Sequence, residues 1–217
     1  MGTITRSFAN NITTSGVLLP ASLTNNSIAN VTAYNASVAT GGMKLISSQT
    51  ASDSASLSFT TGIDSTYKEY QFYFIDVHPR TDDVAFQFNL STDSGSNYNV
   101  TKTTTWFRAY NDEAGTDAGL AYESSLDLTQ STAFQTLTNA TGNGADESVA
   151  GSLLLFNPSS TTYVKHFICD VNHYLFANYS QNTRVAGYGN TTSAINAVRF
   201  QMSSGNFDGT ILMFGIV

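Results

Sequence analysis

Charge is what this sequence has least of. Asp, Glu, Lys and Arg make up 12% of its 217 residues, about half the usual globular share. Cations are the scarcer sign, nine Lys and Arg against sixteen Asp and Glu, for a net charge of −7. A chain with so few cations cannot neutralise a run of phosphates, so nucleic acid is excluded as a partner. Cysteine is nearly missing: Cys169 stands alone. That excludes an intrachain disulfide framework and a cysteine-based zinc site. No segment approaches the ~18–20 apolar residues of a membrane-crossing helix, so no membrane partner is expected. The start, Met1-Gly2-Thr3-Ile4-Thr5-Arg6, leads into Asn and Thr rather than an apolar stretch. Neither a secretory signal nor a myristoylation site is expected there. The Asn-x-Ser/Thr triplets are then a product of composition rather than glycosylation sites.

Ser, Thr and Asn fill the place of charge, together about a third of the chain. Fourteen Phe, eleven Tyr and Trp106 supply enough large side chains for a real core, which excludes a disordered chain. The length suits one domain with a short appendage.

Residues 1–42 form that appendage. They are rich in Thr, Asn, Ser, Ala and Val, with only Phe8 and Tyr34 as aromatics, and they close on Gly41-Gly42. So little apolar surface cannot build a core alone, and the segment is expected to be an extended arm that docks on a partner. From Met43 to Val217 the pattern has period two. Ala55 to Phe59, Tyr70 to Val77, Val84 to Leu90 and Thr101 to Tyr110 read as strands, with Pro79 ending the second. Asp93-Ser94-Gly95-Ser96-Asn97 is loop chemistry. A long polar excursion follows, about 111–148, in which only Leu120 to Leu128 and Phe134 to Leu137 have structured character. Excursions of this length in a compact domain tend to be functional or partner-bound. Strand patterns resume at Val149 to Phe156, Thr161 to Cys169, Tyr174 to Tyr179, Arg184 to Tyr188, Ala194 to Met202 and Thr210 to Val217. About ten strands, turn signals at sandwich spacing and no amphipathic helix predict an all-β fold. It is an antiparallel two-sheet β-sandwich, with a jelly roll as the preferred topology because 43–217 exceeds an immunoglobulin domain.

Chemistry is sparse. His166 and His173 flank Cys169, but alternation along Lys165-His166-Phe167-Ile168-Cys169 puts Cys169 on the face opposite His166. A cysteine nucleophile needs a base within reach, so Cys169 is read as buried and inert. His78, before Pro79, is read as structural. Asp82-Asp83, Asp112-Glu113 and Asp146-Glu147 read as solvated loop carboxylates. Asp93-x-Gly95-x-Asn97 has the look of a calcium loop but lacks the distal Glu. No phosphate loop, nucleophile elbow or His-Glu-x-x-His occurs. The chain is therefore expected to be no enzyme and to hold no cofactor or metal. Saccharide binding is the chemistry this composition suits, through aromatic platforms with amide and hydroxyl partners. Trp106, Tyr110 and Tyr122, bordering the excursion, are the candidate glycan contacts.

Several stretches resemble a known group. They include Leu45-Ile46-Ser47-Ser48-Gln49-Thr50, Phe59-Thr60-Thr61-Gly62-Ile63-Asp64, Phe156-Asn157-Pro158-Ser159-Ser160 and Asn190-Thr191-Thr192-Ser193-Ala194-Ile195. The closing Met202-Ser203-Ser204-Gly205-Asn206-Phe207-Asp208-Gly209-Thr210-Ile211 belongs with them. Over about 43–217 they are similar to small structural virion proteins of tailed bacteriophages, marine ones in particular. The resemblance implies a tail-fibre-like or capsid-decoration-like protein, made in the bacterial cytoplasm and exposed on the particle, and it transfers no functional residues. Residues 1–42 would dock on other virion proteins, a homotrimer is the expected assembly, and a host surface glycan is the expected target of a tail fibre. Host recognition at the tail leads, with capsid decoration (cement) and a carbohydrate-binding module as alternatives.

Overall fold

A computed structural model of the chain describes residues 42–217, together with the backbone of Ile12–Thr13 (β1) and Gly16–Val17 (β2), which pair antiparallel. The docking arm expected at 1–42 otherwise lies outside the described residues. The chain divides into two compact units, Met1–Thr40 and Gly41–Val217.

The second unit is an antiparallel β-sandwich with no helix among its described residues. Its strands are β3 (Met43–Ser54), β4 (Ser56–Phe59), β5 (Glu69–Pro79), β6 (Phe86–Ser91), β7 (Lys102–Asp112) and β8 (Ala118–Tyr122). They continue as β9 (Gln135–Thr136), β10 (Val149–Phe156), β11 (Lys165–Leu175), β12 (Tyr179–Gly189), β13 (Ala197–Met202) and β14 (Phe207–Ile216). One sheet has eight strands, β3-β14-β5-β10-β11-β12-β7-β8, and the other four, β4-β13-β6-β9.

Setting aside β7, β8, β11 and β12 exposes the plan. The remaining eight strands, taken in chain order, lie 1-8-3-6 in one sheet and 2-7-4-5 in the other. That is jelly-roll connectivity, two Greek keys wrapped on one another. The four added strands widen the first sheet beyond β10 without breaking its ladder.

The core sits between the sheets and is mostly phenylalanine. From the large sheet come Phe72, Phe74, Phe167 and Phe207; from the small one Phe59, Phe86, Phe88 and Phe200. Phe200 is the hub. Its ring lies 5.2 Å from Phe74, 5.3 Å from Phe72 and 5.9 Å from Phe86, centroid to centroid. Alternation delivers these rings: in β5, Tyr70, Phe72 and Phe74 are buried while Gln71 and Tyr73 are half-buried on the other side. Gly209 is where the β14–β5 ladder shifts register. Its φ is +129°, and an added Cβ would fall 2.7 Å from the Asp76 carbonyl oxygen, so no other residue fits there.

The 111–148 excursion is built into the domain. β7 runs on to Asp112 and turns back into β8. The chain then follows the edge of β7, where Thr104 donates to the Leu128 carbonyl and Lys102 and Ser131 exchange backbone hydrogen bonds. It next crosses to the small sheet as β9 beside β6. One side of the sandwich is closed by this crossing. Gln135, fully buried, fixes it by accepting from Thr104 Oγ1 at 2.6 Å and donating to the Leu126 and Thr136 carbonyls. The remainder, through Ala140, Thr141 and Gly142, bonds to Val84 and to the end of β11.

Candidate functional site

Beyond the reach of the small sheet, the inner faces of β7 and β12 end in a pocket of about 300 Å³. Register brings its residues together: Tyr110 pairs with Gln181, and Asp112 with Tyr179. Alternation then sends Arg108 and Tyr110 from β7, and Tyr179 and Gln181 from β12, to the same side. Phe176 from the β11–β12 turn and Asp117 from the β7–β8 turn complete the wall.

The pocket's polar groups are held by a chain of hydrogen bonds. Gln181, fully buried, donates through Nε2 to Asn139 Oδ1 at 2.6 Å and to His173 Nε2 at 2.9 Å. His173 therefore carries its proton on Nδ1, facing Thr141 Oγ1 at 3.3 Å. Burial, and then the Arg108 charge, hold the His173 imidazole down at about 4, so it is neutral at pH 7. With both N–H groups used, Gln181 offers Oε1 to Arg108 Nη1 at 2.9 Å, while Arg108 Nη2 meets Glu123 at 2.8 Å. The guanidinium lies 4.9 Å over the Tyr110 ring, and Tyr110 meets Tyr179 edge-on at 6.1 Å. Arg108 Nε is buried without a hydrogen-bond partner among the described residues. Tyr179 donates to Asp117 Oδ2 at 3.0 Å. Two tyrosine rings, an exposed Phe176, a fixed guanidinium and a carboxylate make a setting in which a sugar ring could stack and hydrogen-bond.

The three residues singled out from sequence do not converge. Tyr110 lines this pocket. Trp106 is corrected: its side chain is fully buried in the core, out of reach of a glycan. Tyr122 pairs with Phe107 across β7–β8, on the opposite face of the sheet from Tyr110, and its hydroxyl donates to Asp127. Tyr179 was the missing partner, and only the β12–β7 register, joining residues far apart in sequence, reveals it.

The remaining candidates have structural partners. Cys169 is buried beside Phe167 with His166 exposed on the other face, and burial pushes its thiol pKa well up. His78 Nδ1 lies 2.6 Å from the Glu147 carbonyl. Asp93 accepts from Asn97 N and Nδ2 at 2.8 and 2.7 Å and from Ser91 Oγ at 2.7 Å. Those bonds, from Asn97 first, hold its carboxyl down at about 2 and tie it to its own loop. Among the described residues, no three His, Cys, Asp or Glu side chains cluster as metal ligands would.

The second notable surface is the outer face of the eight-stranded sheet. One row across it reads Leu45, Phe214, Gln71, Leu154, Ile168 and Ala186. Met43, Leu45, Ile75, Phe107, Leu120 and Tyr122, six of the nine exposed large apolar side chains among the described residues, lie on this face. The outer face of the small sheet differs completely, carrying Ser56, Ser58, Arg199, Gln201 and Gln87. Comparison with protein-family models, curated proteins and solved structures gives no match to this chain.

Proposed function

We propose that this chain is a non-enzymatic structural protein of a tailed-phage virion, displayed on the particle surface, docked through residues 1–42 and acting in host recognition. The observation that carries the structural part is the outer face of the eight-stranded sheet. Six exposed large apolar side chains share that face, and clustering of this kind marks protein–protein contact. Large side chains on that face and polar ones on the small sheet's outer face suit a domain that is covered on one side and wet on the other. The jelly roll is compatible with this reading, since capsid proteins and lectins share it, but that is analogy of fold alone. The phage setting rests on the turn and strand stretches of 43–217 described above. Low charge fits an exterior in salt water, where surface ion pairs are screened and contribute little.

Deleting residues 1–42 tests the docking role. The remaining chain is expected to fold and stay soluble while no longer joining particles; incorporation at the full-length level would refute docking through this segment.

The Tyr110–Tyr179 pocket favours a second reading, a carbohydrate-binding module for host adhesion. Tyr110→Ala is then expected to weaken binding to host polysaccharide at least tenfold, with thermal unfolding little changed. Absence of binding by the unaltered chain across a glycan array would remove this reading.

A further inference from the structure

We infer that the outer face of the eight-stranded sheet is the surface through which copies of this chain pack on one another. This deepens the reading of that face as one covered by protein, on which it rests, and names the occupant.

The strands themselves carry the first argument. Leu153-Leu154-Leu155-Phe156 in β10 and Ile211-Leu212-Met213-Phe214 in β14 are unbroken apolar runs. Such runs belong to strands buried on both faces; a strand with one wet face alternates. In β10, Leu153 and Leu155 face the core at 0% exposure, leaving Leu154 and Phe156 half-buried on the outer side of the sheet. In β14, Leu212 and Phe214 are placed in the same way.

Shape supplies the second. A groove of about 480 Å³ crosses this face over β10, β11, β12 and β7, walled by Phe156, His166, Ile168, Ala186 and Tyr188. On the same face, β8 raises Leu120, 76% exposed, and Tyr122, 58% exposed. One molecule thus presents both an apolar projection and an apolar recess, at separate places on one surface. A second copy supplies the projection for the recess, in a closed pair or a ring.

Extent and charge agree. Eight strands at ~4.8 Å spacing and roughly 30 Å of strand length give about 1,000 Å², above the ~800 Å² per partner of a standard interface. The paired rows of this face carry four charges, Glu69, Asp170, Arg184 and Asp208, and Asp208 is neutralised by Arg80 at 2.7 Å. Asp170 and Arg184 are register partners, yet Asp170 accepts from Asn182 Nδ2 at 2.7 Å. In a chain of net charge −7, this face is the place where two copies meet with little repulsion.

Light scattering on the full chain at tens of micromolar is the test. The expected mass is at least twice 23.3 kDa. Leu120→Asp, on an exposed edge strand, and Ile168→Asp, in the groove, are each expected to weaken self-association at least tenfold, with far-UV circular dichroism unchanged for Leu120→Asp. Tyr163→Asp, 71% exposed outside this face, keeps the assembled mass. A second route avoids any dependence on folding of the charged variants. In Leu120→Cys/His166→Cys the two positions are separated by three strand spacings and six residues along β11, over ~20 Å, beyond disulfide reach within one chain. A covalent dimer on mild oxidation supports the contact. A monomeric full chain, or an oligomer whose mass survives both Leu120→Asp and Ile168→Asp, overturns it. The virion reading fails separately, by absence of the chain from particles, whatever its mass in solution.

Discussion

Replacing Phe200 by alanine is expected to lower the stability of the sandwich by about 3–5 kcal/mol, the usual cost of removing a fully buried ring. For a domain of this size that is roughly 10 °C in the thermal midpoint. Phe200 is fully buried and sits between the sheets, with Phe59, Phe72, Phe74, Phe86 and Phe88 around it. Its loss cannot be repaired by one neighbour moving in, because each of those rings is itself held edge-on or stacked against others. Tyr163→Ala, at an exposed loop position, serves as the reference and should leave the midpoint unchanged. A fall of under about 3 °C for Phe200→Ala would mean that the two sheets do not share this aromatic hub.

The second large effect concerns pH. Lys102, at the start of β7, is fully buried, and its Nζ donates to Asn89 Oδ1 at 2.5 Å and the Val100 carbonyl at 2.8 Å. Burial lowers its pKa to about 7. In the unfolded chain the amine titrates near 10.4. Between these values the unfolded state binds the extra proton, so stability rises with pH, by up to ~1.4 kcal/mol per unit. Below about 7 both states are protonated and the contribution is flat. Lys102→Met removes the titrating group while keeping an apolar stem of similar length. The unaltered chain is therefore expected to gain on the order of 3 kcal/mol relative to Lys102→Met between pH 7 and pH 10. Denaturant unfolding of both proteins across that range measures it. Parallel stability curves would place the amine in water rather than between the sheets.

The strands of the jelly roll were legible because their residues alternate. Val149 to Phe156 is β10 to the residue, and Tyr70 to Val77 falls inside β5. What alternation does not encode is strand order. Nothing local says that β12 lies beside β7, so the meeting of Tyr110 with Tyr179 was invisible, and Trp106, next to exposed Phe107, could be placed on either face. The excursion shows structured character in the sequence only at Leu120 to Leu128 and Phe134 to Leu137, and its crossing between the sheets is hidden for a related reason. β9 is only two residues long, and the crossing is held by buried Gln135 and by backbone bonds to β7, neither of which leaves a periodic signal. Likewise Tyr174 to Tyr179 reads as one strand, whereas Phe176 to Asn178 is the turn joining β11 to β12, with Asn178 in the left-handed region at φ 64°. The apolar outer face did leave a trace, the unbroken runs in β10 and β14, whose meaning emerges once the strands are seen to have one face already buried in the core.

The two surfaces divide the work proposed for this domain. Packing falls to the sparsely charged sheet face, and recognition to the tyrosine-lined pocket on the other side of the same sheet. Neither demands many titratable groups, which accounts for the scarcity of charge. The central claim, that the chain is a component of a phage particle, is tested most directly by gold-labelled antibody against residues 43–217 on purified particles. Label at the tail tip is the predicted result. Label spread over the head would replace host recognition with capsid decoration, and particles that carry no label and none of the chain would contradict the account.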